Sequence, residues 1–173
     1  MKHEKQIKEA KSISELFEIV KSIVLEFSGY SRSGIDLSIA DLGPRNSHIG
    51  GFYRYNDNSI TLNAGPMKSI YKSNPKIINY YVFHILLHEY IHALGVYDEQ
   101  RTRKIAHIIS DHYFGQNHTL TQLAKDVGKF FPQTKPKERI RVRYIEPSMP
   151  EDFDRQISQF INQIFKMMDS FFL

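Results

Sequence analysis

Leu87-His-Glu-Tyr-Ile-His-Ala-Leu-Gly95 sets two histidines four residues apart, with a glutamate beside the first, inside a run of aliphatic and aromatic side chains. On an α-helix, residues four apart share a face one turn apart, so His88 and His92 can aim imidazole nitrogens at one point with Glu89 alongside. The plain alternative is two core histidines and a surface glutamate that coincide by chance. His-Glu-x-x-His carries chemistry only on a helix, and the flanking residues supply one. Asn74-Pro75 offers an N-cap and a first-turn proline, and Gly95 a C-terminal stop, so a helix is predicted from there to Leu94.

Working outward, a second helix is predicted from Asp98 or Glu99 to about Tyr113, with Ile105, Ile108 and Ile109 inward and Gly115 ending it. Residues 117–131 read as a shorter helix. Upstream, Gly50 to Asn63 reads as two strands, Phe52 to Tyr55 and Ser59 to Leu62, joined by a tight turn on Asn56-Asp57-Asn58. Gly65-Pro66 follows as a break. Ile35 to Ile39 alternates with period two as a short strand, and residues 4–28 carry apolar side chains at three-to-four spacing, as one amphipathic helix stopped by Gly29.

Downstream, Lys135, Lys137, Arg139, Arg141 and Arg143 occupy every second position of a predicted strand, and Pro150 opens a last amphipathic helix. The stripe over 135–143 could dock nucleic acid or an acidic peptide. A charged edge strand that resists aggregation is the favoured reading, because no aromatic residue for base stacking lies on the basic face.

The chain has 173 residues, 41% hydrophobic and 24% charged, which is the composition of one globular domain with a real core. A net charge of +4 decides nothing alone. With no cysteine, disulfides, thiolate ligands and cysteine nucleophiles are excluded, and any metal must be held by His, Asp or Glu. Tyr80 to Tyr97 is long enough to span a bilayer, yet His84, His88, Glu89 and His92 within it would be costly in lipid, so a buried helix and no membrane partner are expected. The charged first ten residues lack the apolar centre of a secretory signal, and the expected location is the cytoplasm.

Zn²⁺ accepts nitrogen and oxygen ligands in a tetrahedral site, a catalytic site uses three protein ligands, and Glu89 would serve as general base toward a water. The chain thus resembles the zincin clan of zinc metallopeptidases, in particular compact cytoplasmic gluzincin-like members, on the strength of "GGFYRYNDNSITLN" followed by "FHILLHEYIHALG". The resemblance covers about Ile35 to Gly115 and leaves residues 134–173 unmatched. It implies one α+β zincin-like domain over 1–173, with a small mixed sheet, a hairpin edge packed on the active-site helix, and one Zn²⁺. It also implies hydrolysis of peptide bonds in a peptide or protein substrate, with part of 50–63 lining the cleft. The alternative is a non-catalytic zincin-fold regulatory or nucleic-acid-associated protein; a chain without a firm third ligand would be a pseudoenzyme.

Candidates for the third ligand are Asp98, Glu99, His107, His112 and His118. Asp98 is similar in spacing to the metzincin pattern, although no later methionine turn is recognisable. His107 is similar in spacing to SprT-like proteases. If Gly95 to Tyr97 make a tight helical hairpin, positions near 99–103 lie level with the two histidines and His107 falls roughly 12 Å beyond Glu99. Glu99 is therefore the expected ligand and Asp98 its helix cap or a partner of a ligand histidine. Tyr97 and Arg103 fall close enough to meet a scissile carbonyl. His84, one turn before His88, is expected to be a satisfied core histidine.

Overall fold

The computed structural model describes residues 2–43 and 48–131. The basic stretch 135–143 and the helix expected from Pro150 lie outside the described residues. Among the described residues the chain is mixed α+β, in the order α1 (Lys2–Glu9), α2 (Ile13–Ser28), β1 (Asp36–Ala40), β2 (Gly51–Arg54), β3 (Ser59–Asn63), α3 (Ala64–Ser73), α4 (Ile78–Ala93), α5 (Glu99–Phe114) and α6 (Thr119–Lys125), with short 3-10 turns at Pro75–Ile77 and Val127–Phe130. Among the described residues no helix is long and apolar enough to cross a membrane.

The single helix expected over 4–28 is in fact two. Ser12 caps α2 by accepting from the Glu15 backbone N–H at 3.1 Å, while the Glu15 carboxylate accepts from the Lys11 N–H at 2.9 Å. That reciprocal Ser-x-x-Glu arrangement starts a new helix inside an unbroken apolar pattern. Asn79 of α4 completes the break by donating to the carbonyls of Ile7 and Ala10, each at 3.0 Å.

The Gly65-Pro66 break is likewise a helix start. Asn63 accepts from the Gly65 N–H at 3.2 Å, and Pro66 sits in the first turn of α3, where its missing N–H would have no helical partner in any case. Helix α3 ends at Asn74, and Pro75 opens a 3-10 turn that leads into α4 at Ile78 instead of beginning α4 itself.

The three strands are ordered β1-β3-β2, with β1 parallel and β2 antiparallel to β3. The hairpin turn is held by Asn58, whose φ of 49° is left-handed and whose carboxamide oxygen accepts from the Tyr53 hydroxyl at 2.9 Å. Strand β3 is buried along its whole length, as expected of the central strand.

Helix α4 is the hub of the molecule. Phe83, Leu86, Leu87, Tyr90 and Ile91 are fully buried, or nearly so, and each apolar side chain so buried contributes roughly 1.5–3 kcal/mol relative to exposure. A helix apolar on nearly every side belongs at the centre of a domain. The sheet lies on one side, α2 on another through the Phe17–Tyr90 edge contact, and α5 on a third through Phe83–Phe114. Gly50 and Gly51 let β2 approach closely. A Cβ on Gly50 would meet Ile85 Cδ1 at 2.5 Å, and one on Gly51 would meet Ile85 Cγ2 and the Thr61 carbonyl at 2.9 Å.

Candidate metal centre

The last two turns of α4 carry His88, Glu89 and His92, and the first residue of α5 is Glu99. Between them the chain reverses through Gly95, at a φ of 99° that favours glycine, with the Gly95 N–H donating to the His92 carbonyl at 2.8 Å. Asp98 accepts from the Arg101 N–H at 2.8 Å and so caps α5. With Asp98 spent on the helix terminus, Glu99 faces back toward the two histidines.

Three donor atoms converge. His92 Nε2 lies 3.1 Å from His88 Nε2 and 3.2 Å from Glu99 Oε1, and His88 Nε2 is 3.5 Å from that same oxygen. A tetrahedral ion with ligands at about 2.0–2.1 Å requires them about 3.4 Å apart, so the triangle fits one face of such a tetrahedron. His88, His92 and Glu99 could hold a metal ion. Without a cation or shared protons among them, three lone pairs at these distances repel.

The ring of His92 is fixed from behind. Its Nδ1 donates to the Val96 carbonyl at 2.6 Å, and that carbonyl also accepts from the Thr102 hydroxyl at 2.9 Å. A proton on Nδ1 leaves Nε2 as the bare nitrogen directed at the triangle, the tautomer a metal needs. Burial opposes protonation of His92, but the Glu99 hydrogen bond, the charges of Glu89 and Glu99 and the Val96 carbonyl outweigh it and raise the His92 pKa. When the Nε2 atoms carry protons in place of a metal, hydrogen bonds from His88 and His92 hold the Glu99 carboxyl well below its ordinary range against the opposing effect of burial.

Glu89 is 5% exposed and accepts from the Tyr53 backbone N–H of β2 at 2.9 Å. Burial pushes its pKa up; the nearby histidine charges and the Tyr53 bond pull the other way without cancelling the rise. It lines a cavity of about 390 Å³ together with His88, Glu99, His84, Arg103 and Lys125. A raised carboxyl beside an open space has the basicity and the access that general-base work requires.

Of the other sequence candidates, none joins the triangle. Asp98 is the α5 cap. His107 lies two turns further along α5 with Nδ1 buried and unpartnered among the described residues. His112 packs its ring against Phe27 and Tyr113. His118 caps α6 through Leu120 and reaches Glu4 at 3.4 Å. Arg103 does reach the site, with Nε 3.4 Å from Glu99 Oε2, whereas Tyr97 is half-buried and is not among the residues lining the cavity.

His84 departs from the expectation of a satisfied core histidine. It is buried, yet its Nδ1 has no hydrogen-bond partner among the described residues, and the residue lines the cavity. Burial, with the charges of His88 and Arg103, holds its pKa down at about 3. Its spacing of four from His88 was the available signal. Thr102 was missed altogether, since a lone threonine on a helix carries no such signal.

Comparison with protein-family models, curated proteins and solved structures gives no match.

Proposed function

We propose that the chain is a zinc-dependent metallopeptidase of zincin type, with Zn²⁺ held by His88, His92 and Glu99 and with Glu89 as general base. The observation that carries this reading is the convergence of two imidazole Nε2 atoms and one carboxylate oxygen at 3.1–3.5 Å beside a buried glutamate. Two nitrogens and one oxygen suit zinc, and three protein ligands leave a position open. When bound, zinc lowers the pKa of a coordinated water to about 7 and polarises a carbonyl oxygen.

The chain's own residues supply the rest. Glu89, anchored by the Tyr53 N–H through one carboxylate oxygen, accepts a proton from the attacking water as that water's oxygen bonds to the peptide carbonyl carbon. Glu89 then returns the proton to the leaving nitrogen as the C–N bond breaks, giving a carboxylate and an amine. Arg103 stands within reach of Glu99 and the cavity, where its charge favours an oxyanion on the substrate.

The test is metal content and proteolysis on one preparation. Stoichiometric zinc by elemental analysis, with peptide cleavage that a chelator abolishes and zinc restores, is the expected result. Protein that takes up zinc and cleaves no member of a broad peptide library overturns the catalytic part; protein that takes up none overturns the whole.

A further inference from the structure

The cavity beside the triangle contains groups that proton transfer does not use. His84 stands in its wall with Nδ1 sealed and unpartnered among the described residues, and Nε2 is the ring nitrogen left to meet the cavity. A buried N–H without a partner is rarer than a buried bare acceptor, so the favoured tautomer carries its proton on Nε2, as a neutral donor into the cavity. Arg103 meets Glu99 through Nε at 3.4 Å and its side chain is 72% exposed, and a guanidinium carries five N–H donors, more than that contact uses. Lys125 also lines the cavity and makes no ion pair among the described residues.

The negative groups on the same wall are already engaged. Asp126 accepts from the Gly128 N–H at 3.1 Å and pairs with Lys129 at 3.7 Å. Glu99 is held by both histidines and Arg103, and Glu89 by Tyr53. His84, Lys125 and Arg103, the last shared with Glu99, are the donors that line this space beside the engaged carboxylates, and three such donors fit a planar anion with two acceptor oxygens.

We infer that this wall is a subsite for a carboxylate of the peptide substrate, bound by His84, Arg103 and Lys125, so that the enzyme favours peptides bearing an acidic side chain or a free C-terminal carboxylate next to the cleaved bond. This inference rests on the metallopeptidase reading for its substrate, but not for its binding chemistry.

The experiment uses peptide pairs that differ only as Glu or Gln at one position, and pairs with a free or amidated C-terminus. Cleavage is measured as kcat/KM with zinc-loaded wild type, and binding by calorimetry with zinc-loaded Glu89→Gln. The carboxylate member is expected to be favoured about tenfold or more, the usual worth of a hydrogen-bonded charge. That ratio should fall several-fold in Arg103→Gln and Lys125→Gln. It should also fall in His84→Leu and recover in part in His84→Gln, whose amide can donate from a similar position; a merely structural role for His84 would leave the ratio unmoved.

A preference confined to the Glu/Gln pair assigns the subsite to a side chain, and one confined to the terminus pair to a chain end. Equal cleavage and equal binding of both members overturn the subsite while leaving the peptidase in place. Preferential binding with no cleavage by wild type overturns the peptidase and leaves the subsite. Neither cleavage nor preferential binding overturns both.

Discussion

The backbone N–H of Tyr53 donates to Glu89 Oε2 across 2.9 Å, so strand β2 and the motif helix meet at the carboxylate proposed as the base. Among the described residues strand β2 pairs with β3 on one side only, and on the other it presents this N–H to α4. The bond orients Glu89 and, among the described residues, uses one of its two oxygens. Glu89→Gln keeps an acceptor for Tyr53 and so is expected to preserve the fold and the zinc content. Removing the base should lower kcat by about 10²–10⁴-fold. Peptide hydrolysis measured beside elemental analysis checks it, and undiminished turnover would remove Glu89 from the mechanism.

Asp98 and Glu99 are neighbours with opposite assignments, and substitution separates them. Glu99→Ala takes one corner from the triangle and is expected to abolish stoichiometric zinc. Asp98→Ala removes the cap on Arg101, at a cost of about 1 kcal/mol, and should leave zinc bound. His107→Ala should also leave it bound. Zinc content and chemical denaturation of the three variants provide both readings, and retention of zinc by Glu99→Ala would return the third-ligand question to Asp98.

Thr102 supplies no corner of the triangle, yet its hydroxyl lies 3.4 Å from His92 Nδ1 and bonds the Val96 carbonyl that fixes the ring. Thr102→Val keeps the shape and removes the hydroxyl. Loss of such a supporting bond is expected to weaken zinc affinity about 10–100-fold. Competition with a chromophoric chelator measures it; an unchanged affinity would show that Val96 alone holds the ring.

Where a local rule acts on adjacent residues, the sequence was readable: the hairpin around Asn58, the Gly95 stop, the Asp98 cap and the pairing of His88 with His92 all follow from spacing. The hairpin-like return of α5 also placed Glu99 opposite the histidines, because helical rise fixes which residue lies level with which. Errors came where two rules competed. Periodicity over 4–28 hid the capping pair Ser12 and Glu15, and Gly65-Pro66 was read as a breaker although Asn63 before it makes the same residues a helix start. Relations spanning tens of residues, such as Tyr53 to Glu89 or Asn79 to Ile7, leave no mark on a pattern that sees only neighbours. The dual nature of His84 was hidden for a related reason, since spacing shows which face a side chain occupies but not whether its nitrogens find partners there.

Glu4 joins the first helix to the rest of the protein and gives the fold an acid-sensitive element. Its carboxylate bonds Lys8 at 2.7 Å, lies 3.4 Å from His118 at the start of α6, and accepts from the Tyr80 hydroxyl at 3.4 Å. The Lys8 and His118 hydrogen bonds, against a smaller effect of burial, lower its pKa from 4.5 to about 2. A carboxyl depressed on folding stabilises the folded state above its unfolded pKa, and that stabilisation drains away as pH falls from about 4.5 through about 2. Glu4→Gln is therefore expected to be less stable than wild type near neutral pH, by no more than about 1 kcal/mol since the partners are partly exposed. The gap should narrow steadily below pH 5. His84, kept neutral down to about pH 3 by its burial, destabilises the fold as pH falls from about 6.5 to about 3, but it does so in both proteins and cancels from their difference. Urea unfolding of the pair at a series of pH values measures the gap, and one that stayed constant from pH 7 to 3 would mean that the Glu4 carboxylate contributes nothing through its charge.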